Sequence, residues 1–116
     1  MQDDPRPMLT VVVAAFNEEA ALPLLQPRIA AALDALQRDE GVEGRVLYVD
    51  DGSRDGTWAA MQEIASDDPR VSLLRLSRNF GKELALTAGL DRVTEGAALI
   101  LDADGQDPPE LIPRFV

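Results

Sequence analysis

Four short apolar runs alternate along the chain with longer segments in which hydrophobic residues recur at helical spacing. The runs lie at residues 9–15, 45–49, 71–76 and 97–101. Nearly continuous apolar runs of this kind are typical of parallel strands covered on both faces. Between the first two, Leu22, Leu25 and Ile29 recur with helical period. The succession βαβαβαβ predicts an α/β fold, a Rossmann-like, doubly wound and mostly parallel sheet.

The same pattern gives expectations for the helix ends. Asn17 is a candidate cap for the first helix, and Pro27 implies either a later start or a kink in it. The second helix is expected from about Gly56 to Ala65, with Asp55 or Ser53 as its N-cap. The third is expected between the last two apolar runs.

Composition narrows the possible chemistry. The chain has 116 residues, enough for one domain, and its 11 basic and 21 acidic residues give a net charge of −10. This balance argues against a nucleic-acid partner and against a polybasic membrane patch. Because the chain contains neither Cys nor His, thiolate sites, a Cys nucleophile and a Ser-His-Asp triad are excluded. Any metal must be held by oxygen, which favours Mg²⁺, Mn²⁺ or Ca²⁺.

The hydropathy pattern gives no sign of a membrane or export segment. The longest apolar runs fall far short of the roughly 20 residues of a membrane span. The N-terminus lacks the basic-then-apolar form of a signal peptide. We therefore expect this stretch to be soluble and cytoplasmic.

Ligands of doubly wound sheets bind beyond the carboxyl ends of the strands, so the loops there are the places to search. After the first strand comes Phe16-Asn17-Glu18-Glu19, which is neither a glycine-rich dinucleotide turn nor a P-loop. After the second comes VDDGSRDGT, residues 49–57. It fits a tight turn, but also a site in which Asp51 accepts from a base or ribose group.

The third strand is followed by SRNFGK, residues 77–82, whose two cations suit a phosphate or simply balance nearby acids. The fourth strand leads into Asp102, Asp104 and Gln106, at alternate positions. If the chain stays extended, these side chains share a face and can converge on one hard cation such as Mg²⁺. The alternative is an acidic turn stopped by two prolines.

Together these stretches resemble the family-2 glycosyltransferases of the nucleotide-sugar-binding GT-A fold. Within that family they are most similar to the polyprenyl-phosphate sugar transferases, the group that includes dolichyl-phosphate mannose synthase. The stretches that carry the resemblance are AAFNEE (14–19), VDDGSRDGT (49–57), SRNFGKELALTAGL (77–90) and DADGQDPPELIP (102–113). All four stand in order within residues 9–116.

The resemblance implies a nucleotide-sugar donor, a Mg²⁺ or Mn²⁺ cofactor and a polyprenyl-phosphate acceptor. It implies that Phe16 packs on the base or ribose, that Asp51 accepts from a ring N–H, and that Lys82 lies near the phosphates. The nucleotide-binding residues that it implies are Ala14, Phe16, Glu18, Val49, Asp51, Asp102, Ala103 and Asp104. The metal ligands that it implies are Asp102, Asp104 and Gln106, with Asp102 binding either the ribose or the metal.

Some positions depart from the family pattern. Ala14 stands where the family usually has Pro, and Phe16 stands where it has Tyr. Gly105 occupies a position that is commonly Leu in this subgroup, so the proposed metal loop gains backbone freedom.

Length is the larger departure. Relatives continue for another hundred or more residues, which supply the acceptor half and the proposed catalytic base, and many end in membrane helices. We therefore expect residues 1–8 to be a tail and 9–116 to be the donor half of a transferase. The catalytic residue is expected beyond Val116, and a half cut at that point is expected to self-associate.

Three other interpretations compete with this one. The acid pairs resemble those of a receiver domain of two-component signalling, although a complete βα unit precedes Asp50 here. Asp102-Ala103-Asp104-Gly105 resembles the motif of haloacid-dehalogenase-like phosphatases, which normally opens the chain. The third alternative is a fragment that binds nucleotide and metal without turnover.

Overall fold

The computed structural model describes residues 7–103, 108–110 and 112. The described elements are β1 (Met8–Ala15), α1 (Leu22–Glu40), β2 (Glu43–Asp50), α2 (Thr57–Asp67), β3 (Val71–Arg75), α3 (Lys82–Asp91) and β4 (Ala97–Asp102). All four strands pair in parallel, in the order β3-β2-β1-β4. The predicted succession of elements and the parallel, doubly wound sheet are therefore confirmed, with β1 beginning one residue inside the expected tail.

Helices cover both faces of the sheet. On one face α1 and α2 pack on a core that includes Val11, Val13 and Tyr48. On the other face α3 packs on a smaller core that includes Val12 and Val49. Alternate residues of a strand point to opposite faces, so β1 needs apolar side chains at successive positions, and this explains its continuous valine run.

Helix α3 approaches the sheet closely because one of its residues has no side chain. A Cβ on Gly89 would stand 2.7 Å from Val12 Cγ1 and 2.9 Å from Val49 Cγ2. Both distances are shorter than atoms tolerate, so any larger residue would force the helix away from the strands.

A chain of polar contacts runs from the larger core to the surface. The buried Tyr48 hydroxyl donates to Gln26 Oε1, and Gln26 Nε2 donates to Asp68 Oδ2 at 3.5 Å. Arg70 then pairs with Asp68 at 2.9 Å and with Asp34 at 2.8 Å. Burial raises the pKa of Tyr48, with a smaller contribution from the charge of Asp68. The chain of contacts joins β2 and α1 to the turn between α2 and β3.

Helix α1 corrects the expected N-cap and excludes one of the two alternatives for Pro27, the later start. Its N-cap is Ala21, whose side chain makes no capping hydrogen bond, so Asn17 is not the cap. The helix begins before Pro27 and continues through it, with Pro23 in its first turn. Because proline has no N–H, the carbonyl four residues earlier lacks its helical partner, and the packing of α1 on the core has to offset that loss.

Helix α2 begins at Thr57 with Gly56 at the N-cap, so neither Asp55 nor Ser53 occupies that position. Asp55 still serves the helix start, because its Oδ1 accepts from the Thr57 N–H at 2.9 Å. Ser53 instead accepts a hydrogen bond from the Asn17 N–H in the loop after β1.

The topology also fixes where a crevice forms. The chain moves outward from β1 to β3 with helices on one face, then returns past β2 and β1 to β4 with α3 on the other face. The connections that leave β1 and β4 at their carboxyl ends therefore diverge, and a crevice opens between them. In the part of the chain that the structure describes, no helix is long and apolar enough to cross a membrane.

Candidate functional site

A cleft of about 170 Å³ lies between the carboxyl ends of β1 and β4. It is lined by Ala14, Phe16, Glu18, Lys82, Asp102 and Ala103. Five of these belong to the predicted nucleotide-binding set, and the sixth, Lys82, was expected near the phosphates. The cleft stands where the strand order reverses, which is the position at which doubly wound sheets bind their ligands.

Strand register brings the two sides of the cleft together. Ala14 of β1 pairs with Asp102 of β4, the last residue of that strand. The Lys82 ammonium group contacts Asp102 Oδ1 from the start of α3. Phe16 is 41% exposed, so the face of its ring is accessible to a ligand. The described lining thus combines an aromatic surface, two carboxylates and one ammonium group.

The loop after β1 is held by the loop after β2. Asn17 has a left-handed backbone, with φ 54°, and its N–H donates to Ser53 Oγ at 2.9 Å. In return the Arg54 N–H donates to Asn17 Oδ1 at 2.9 Å, and the Glu18 N–H donates to Thr57 Oγ1 at 2.8 Å. These reciprocal hydrogen bonds fix the backbone that presents Phe16 and Glu18, and they explain what Asn17 and Ser53 do.

Asp55 also connects the loop after β1 to the loop after β2. Its Oδ2 accepts from the Glu19 N–H at 3.4 Å, and its Oδ1 accepts from the Thr57 hydroxyl and N–H. Desolvation raises the pKa of Asp55, but the hydrogen bonds from Thr57 and Glu19 outweigh it and hold that pKa below its ordinary value.

The two adjacent acids at the end of β2 each find donors. Asp50 is fully buried, and its Oδ1 accepts from the Ser53 N–H at 2.9 Å. Its Oδ2 has no hydrogen-bond partner among the described residues and lies 3.7 Å from Arg75 Nε, while the Arg75 guanidinium lies over the Trp58 ring. The sequence did not indicate Arg75 or Trp58, although Arg75 faces Asp50 in the strand register.

Val49 and Asp51 do not line the cleft. Val49 is fully buried in the core under α3. Asp51 is 2% exposed, and its carboxylate accepts from the N–H groups of Phe80 and Gly81. The contacts of these two residues with a base stay predictions.

The predicted metal ligands are only partly described. Asp102 lies at the cleft, whereas Asp104 and Gln106 fall outside the described residues. Within residues 7–103, 108–110 and 112, no group of three or more acidic side chains is close enough to hold a metal ion. Asp102 alone is one carboxylate ligand, which fits a hard cation but does not define a site.

The sequence predicted no catalytic base among the residues that line the cleft. It was expected beyond Val116, and Val116 itself falls outside the described residues. The two described carboxylates of the lining, Glu18 and Asp102, belong to the predicted nucleotide and metal sets. The position of the base therefore stays a prediction.

The described residues that follow positions 104–107 include two that are buried. Ile112 is 1% exposed and belongs to the core cluster beneath α1 and α2. Pro109 is also buried. The chain is therefore fixed on both sides of residues 104–107, by β4 before them and by Ile112 after them.

A larger groove, of about 460 Å³, lies at the opposite ends of the strands. It is bordered by Thr10, Arg45, Ser72 and the segment from Arg92 to Glu95. None of the predicted site residues that the structure describes lines it, and it lies away from the edge at which this fold binds ligands. The smaller cleft is therefore the candidate site.

Comparison with known proteins agrees with this geometry. Residues 10–116 match the model of glycosyl transferase family 2. A bactoprenol glucosyl transferase of Shigella phage SfX is 39% identical over 108 residues, which cover 93% of this chain and 34% of that protein. An undecaprenyl-phosphate 4-deoxy-4-formamido-L-arabinose transferase of Pseudomonas fluorescens is 39% identical over an alignment of 118 positions, which covers 100% of this chain and 33% of that protein.

A solved structure shows the same fold. The mannosyltransferase PcManGT of Pyrobaculum calidifontis, in complex with GDP-Man and Mn²⁺, superposes with a TM-score of 0.72 and 29% identity. The match covers 86% of this chain and 28% of that one.

The chain belongs to glycosyl transferase family 2. The predicted resemblance and the GT-A fold class are confirmed, and the receiver-domain and phosphatase interpretations are wrong. The chain spans about a third of the length of the two transferases it was compared with.

Proposed function

We propose that this chain is the donor-binding part of a transferase that moves a sugar from a nucleotide-sugar donor to a polyprenyl phosphate. The observation that carries the proposal is the cleft at the strand-order reversal, where Phe16 from the loop after β1, Lys82 from α3 and Asp102 from β4 converge. Family membership and the PcManGT complex with GDP-Man support the class of donor. The names of the bactoprenol and undecaprenyl-phosphate transferases support the class of acceptor.

The described side chains suggest a division of labour within the cleft. The half-exposed ring of Phe16 offers a surface on which a base or ribose can pack. The Lys82 ammonium group, at the start of α3, suits the negative charge of a diphosphate. Glu18 and Asp102 give the lining more negative than positive charge. A diphosphate would be repelled by these carboxylates unless a cation lies between them.

That imbalance supports the proposal of a divalent cation, Mg²⁺ or Mn²⁺. Asp102 would be a ligand or a ribose contact, and Asp104 and Gln106 remain proposed ligands. A bound cation would neutralise charge on the departing nucleoside diphosphate. The chain's own residues would orient the donor so that the acceptor phosphate approaches the sugar from the open side of the cleft.

The polyprenyl acceptor would place the reaction at a membrane, and we propose its cytoplasmic face. The base that would assist the acceptor is proposed to lie beyond Val116 and is not assigned to any residue of this chain. Because the chain spans a third of its relatives' length, a second candidate is donor binding without transfer by the chain alone.

Isothermal titration of the chain with uridine diphosphate and guanosine diphosphate, with and without Mn²⁺, tests donor binding. We expect metal-dependent binding of at least one of them, and we expect Asp104→Ala to abolish the metal dependence. Asp67→Ala removes a carboxylate in the same way at the exposed end of α2 and serves as the matched control. Failure of both nucleotides to bind, with the chain folded, would contradict the proposal.

An assay of sugar transfer separates the two candidate functions, transfer to the lipid and donor binding without transfer. The chain and a nucleotide-sugar donor are incubated with undecaprenyl phosphate in detergent, and the lipid is analysed for attached sugar. Glycosylated lipid supports the transferase, whereas donor binding without product supports the second candidate.

A further inference from the structure

Thr57 is a fully buried polar residue that does not line the cleft but contacts a residue that does. Its Oγ1 accepts from the Glu18 N–H at 2.8 Å, and its hydroxyl donates to Asp55 Oδ1. Hydrogen bonds linked in this way polarise one another, so the charged Asp55 makes the Thr57 oxygen a better acceptor. The Glu18 N–H is therefore connected to Asp55 through one buried hydroxyl.

The backbone of Glu18 is held on both sides. Its N–H donates to Thr57, and its carbonyl accepts from the N–H groups of Ala21 and Leu22, each at 3.1 Å. Leu22 is the first residue of α1, and Thr57 is the first residue of α2. Glu18 thus lies where the starts of the two helices meet, and its position depends on both.

The neighbouring glutamate is kept at the start of α2. The Glu19 N–H donates to Asp55 Oδ2 at 3.4 Å, and a Cβ on Gly56 would stand 2.5 Å from Glu19 Oε2. The Glu19 carboxylate therefore packs against the N-cap of α2, where a negative charge is favourable. Of the two adjacent acids, Glu18 is the one that lines the cleft.

The chemistry of Glu18 limits which part of a donor it can contact. An ionised carboxylate only accepts hydrogen bonds. It suits the hydroxyl groups of a ribose, whereas the oxygens of a diphosphate carry the same charge and are repelled. A carboxylate that must meet two ribose hydroxyls depends on the backbone from which it starts.

We infer that Thr57 is a positioning residue, whose buried hydroxyl fixes the Glu18 backbone so that the Glu18 carboxylate meets the ribose hydroxyls of the donor. The inference rests on the proposed function, because it assigns Glu18 to the nucleotide. It makes binding of the ribose depend on a hydroxyl outside the cleft. If Thr57 served only to start α2, its hydroxyl would affect stability without affecting the ribose selectively.

Two substitutions at this position separate these roles. Thr57→Val keeps the branched shape of the side chain and removes the hydroxyl, whereas Thr57→Ser keeps the hydroxyl. Calorimetry at a fixed Mn²⁺ concentration measures binding of uridine and guanosine diphosphates and of their 2′,3′-dideoxy analogues, with every variant fully folded. For each diphosphate that the parent binds, we expect Thr57→Val to weaken binding by about fivefold, the effect of one hydrogen bond.

The other measurements should show no such loss. The dideoxy analogues lack the ribose hydroxyls, so they should bind Thr57→Val as they bind the parent. Thr57→Ser should bind all ligands like the parent. Thr87→Val is the matched control, because it removes the same group from the exposed surface of α3, and it should change nothing.

A double-mutant cycle tests whether Thr57 acts through Glu18. In the Glu18→Ala background, Thr57→Val should cause no further loss of diphosphate binding. Multiplication of the two single losses would overturn the inference. An equal loss for the dideoxy analogues, or a Thr57→Ser variant that binds as weakly as Thr57→Val, would overturn it as well.

Amide hydrogen exchange tests the first link without any ligand. Thr57→Val should speed exchange at the Glu18 amide, whereas Thr57→Ser should not, and the amides of β1 should keep their protection in both. Unchanged exchange at Glu18 in Thr57→Val would overturn the inference by itself. If the parent binds neither diphosphate, the proposed function fails, and the exchange result still decides whether the Thr57 hydroxyl holds Glu18.

An alternative variant serves if Thr57→Val does not fold. Asp55→Ala removes the charged acceptor of the Thr57 hydroxyl and should weaken diphosphate binding without affecting the dideoxy analogues. Diphosphate binding equal to that of the parent would contradict the role of the buried hydroxyl.

Discussion

Arg28 and Glu110, which are 82 residues apart in the chain, form a bidentate ion pair. Arg28 Nε donates to one carboxylate oxygen and a terminal nitrogen to the other, each at 2.8 Å. The hydrogen bonds from Arg28 hold the pKa of Glu110 below its ordinary value. The pair ties the segment that follows residues 104–107 to α1, on the same side of the sheet as the buried Ile112.

Charge reversal should show whether this pair holds the segment. Arg28→Glu and Glu110→Arg should each lower the melting temperature slightly, because both side chains are partly exposed and like charges then face each other. The double reversal should restore most of the loss, measured by circular dichroism at low salt. A double variant that melts at the temperature expected from adding the two single losses would contradict a direct pairing.

The free energy of unfolding should decrease at acidic pH. The Arg70 hydrogen bonds lower the pKa of Asp68 from its ordinary 3.8, and the pKa values of Asp55 and Glu110 are lowered as well. The unfolded chain therefore binds protons first as pH falls, and these groups stabilise the fold fully only above their unfolded values. Urea unfolding should show that the contribution of these carboxylates to the free energy of unfolding is nearly constant between pH 7 and pH 5. It should decrease below about pH 4. Asp68→Asn should make that loss shallower, and an unchanged slope would refute its assignment to Asp68.

Removing the Tyr48 hydroxyl should destabilise the core. Tyr48→Phe keeps the ring but leaves Gln26 Oε1 without its buried donor. We expect a loss of about 0.5–1.5 kcal/mol in the free energy of unfolding, measured in urea. Equal stability of the variant and the parent would mean that another donor replaces the hydroxyl.

The same residue should resist ionisation. Burial raises the pKa of Tyr48, so its contribution to stability is present below the ordinary value of 10 and is lost as pH rises through the folded value. Since Tyr48 is the single tyrosine of the chain, ultraviolet titration reports it alone. Its ionisation should coincide with alkaline unfolding rather than precede it.

The substitution Gly89→Ala in α3 should show whether core packing or helix propensity has the larger effect on stability at this position. Gly89→Ala favours the helical state by up to about 1 kcal/mol, but its Cβ meets Val12 and Val49 in the core. Overpacking of this kind costs about 1–3 kcal/mol, so we expect net destabilisation in urea unfolding. Leu84→Ala, on the exposed side of the same helix, should change stability little. A more stable Gly89→Ala variant would mean that α3 can move away from the sheet freely.

Much of the fold could be predicted because it depends on local pattern. The valine run of β1 indicated a strand covered on both faces, and helices pack on both of its sides. The rule for ligand binding at strand ends then indicated the cleft. Ala14 and Asp102 come together because parallel register is set by the same apolar runs that were visible in the sequence.

The details of the loops could not be predicted, because they depend on contacts between segments distant in the chain. Asn17 is a residue type that often caps helices, but its hydrogen-bond partners are Ser53 and Arg54 in another loop. Asp51 looked accessible to a ligand, since nothing in the sequence indicated that residues 79–81 would fold over it. A short polar side chain can satisfy either a local or a distant donor, and only the folded chain decides between them.

The interlocked loops after β1 and β2 bear on how such a site can change during evolution. Their backbones are fixed by Asn17, Ser53 and Thr57, whose side chains bond to each other's loops. Phe16 and Glu18, which line the cleft, lie in a loop whose backbone is held by these hydrogen bonds. We therefore expect substitutions at these two positions to change the surface of the cleft while the hydrogen bonds between the two loops stay intact.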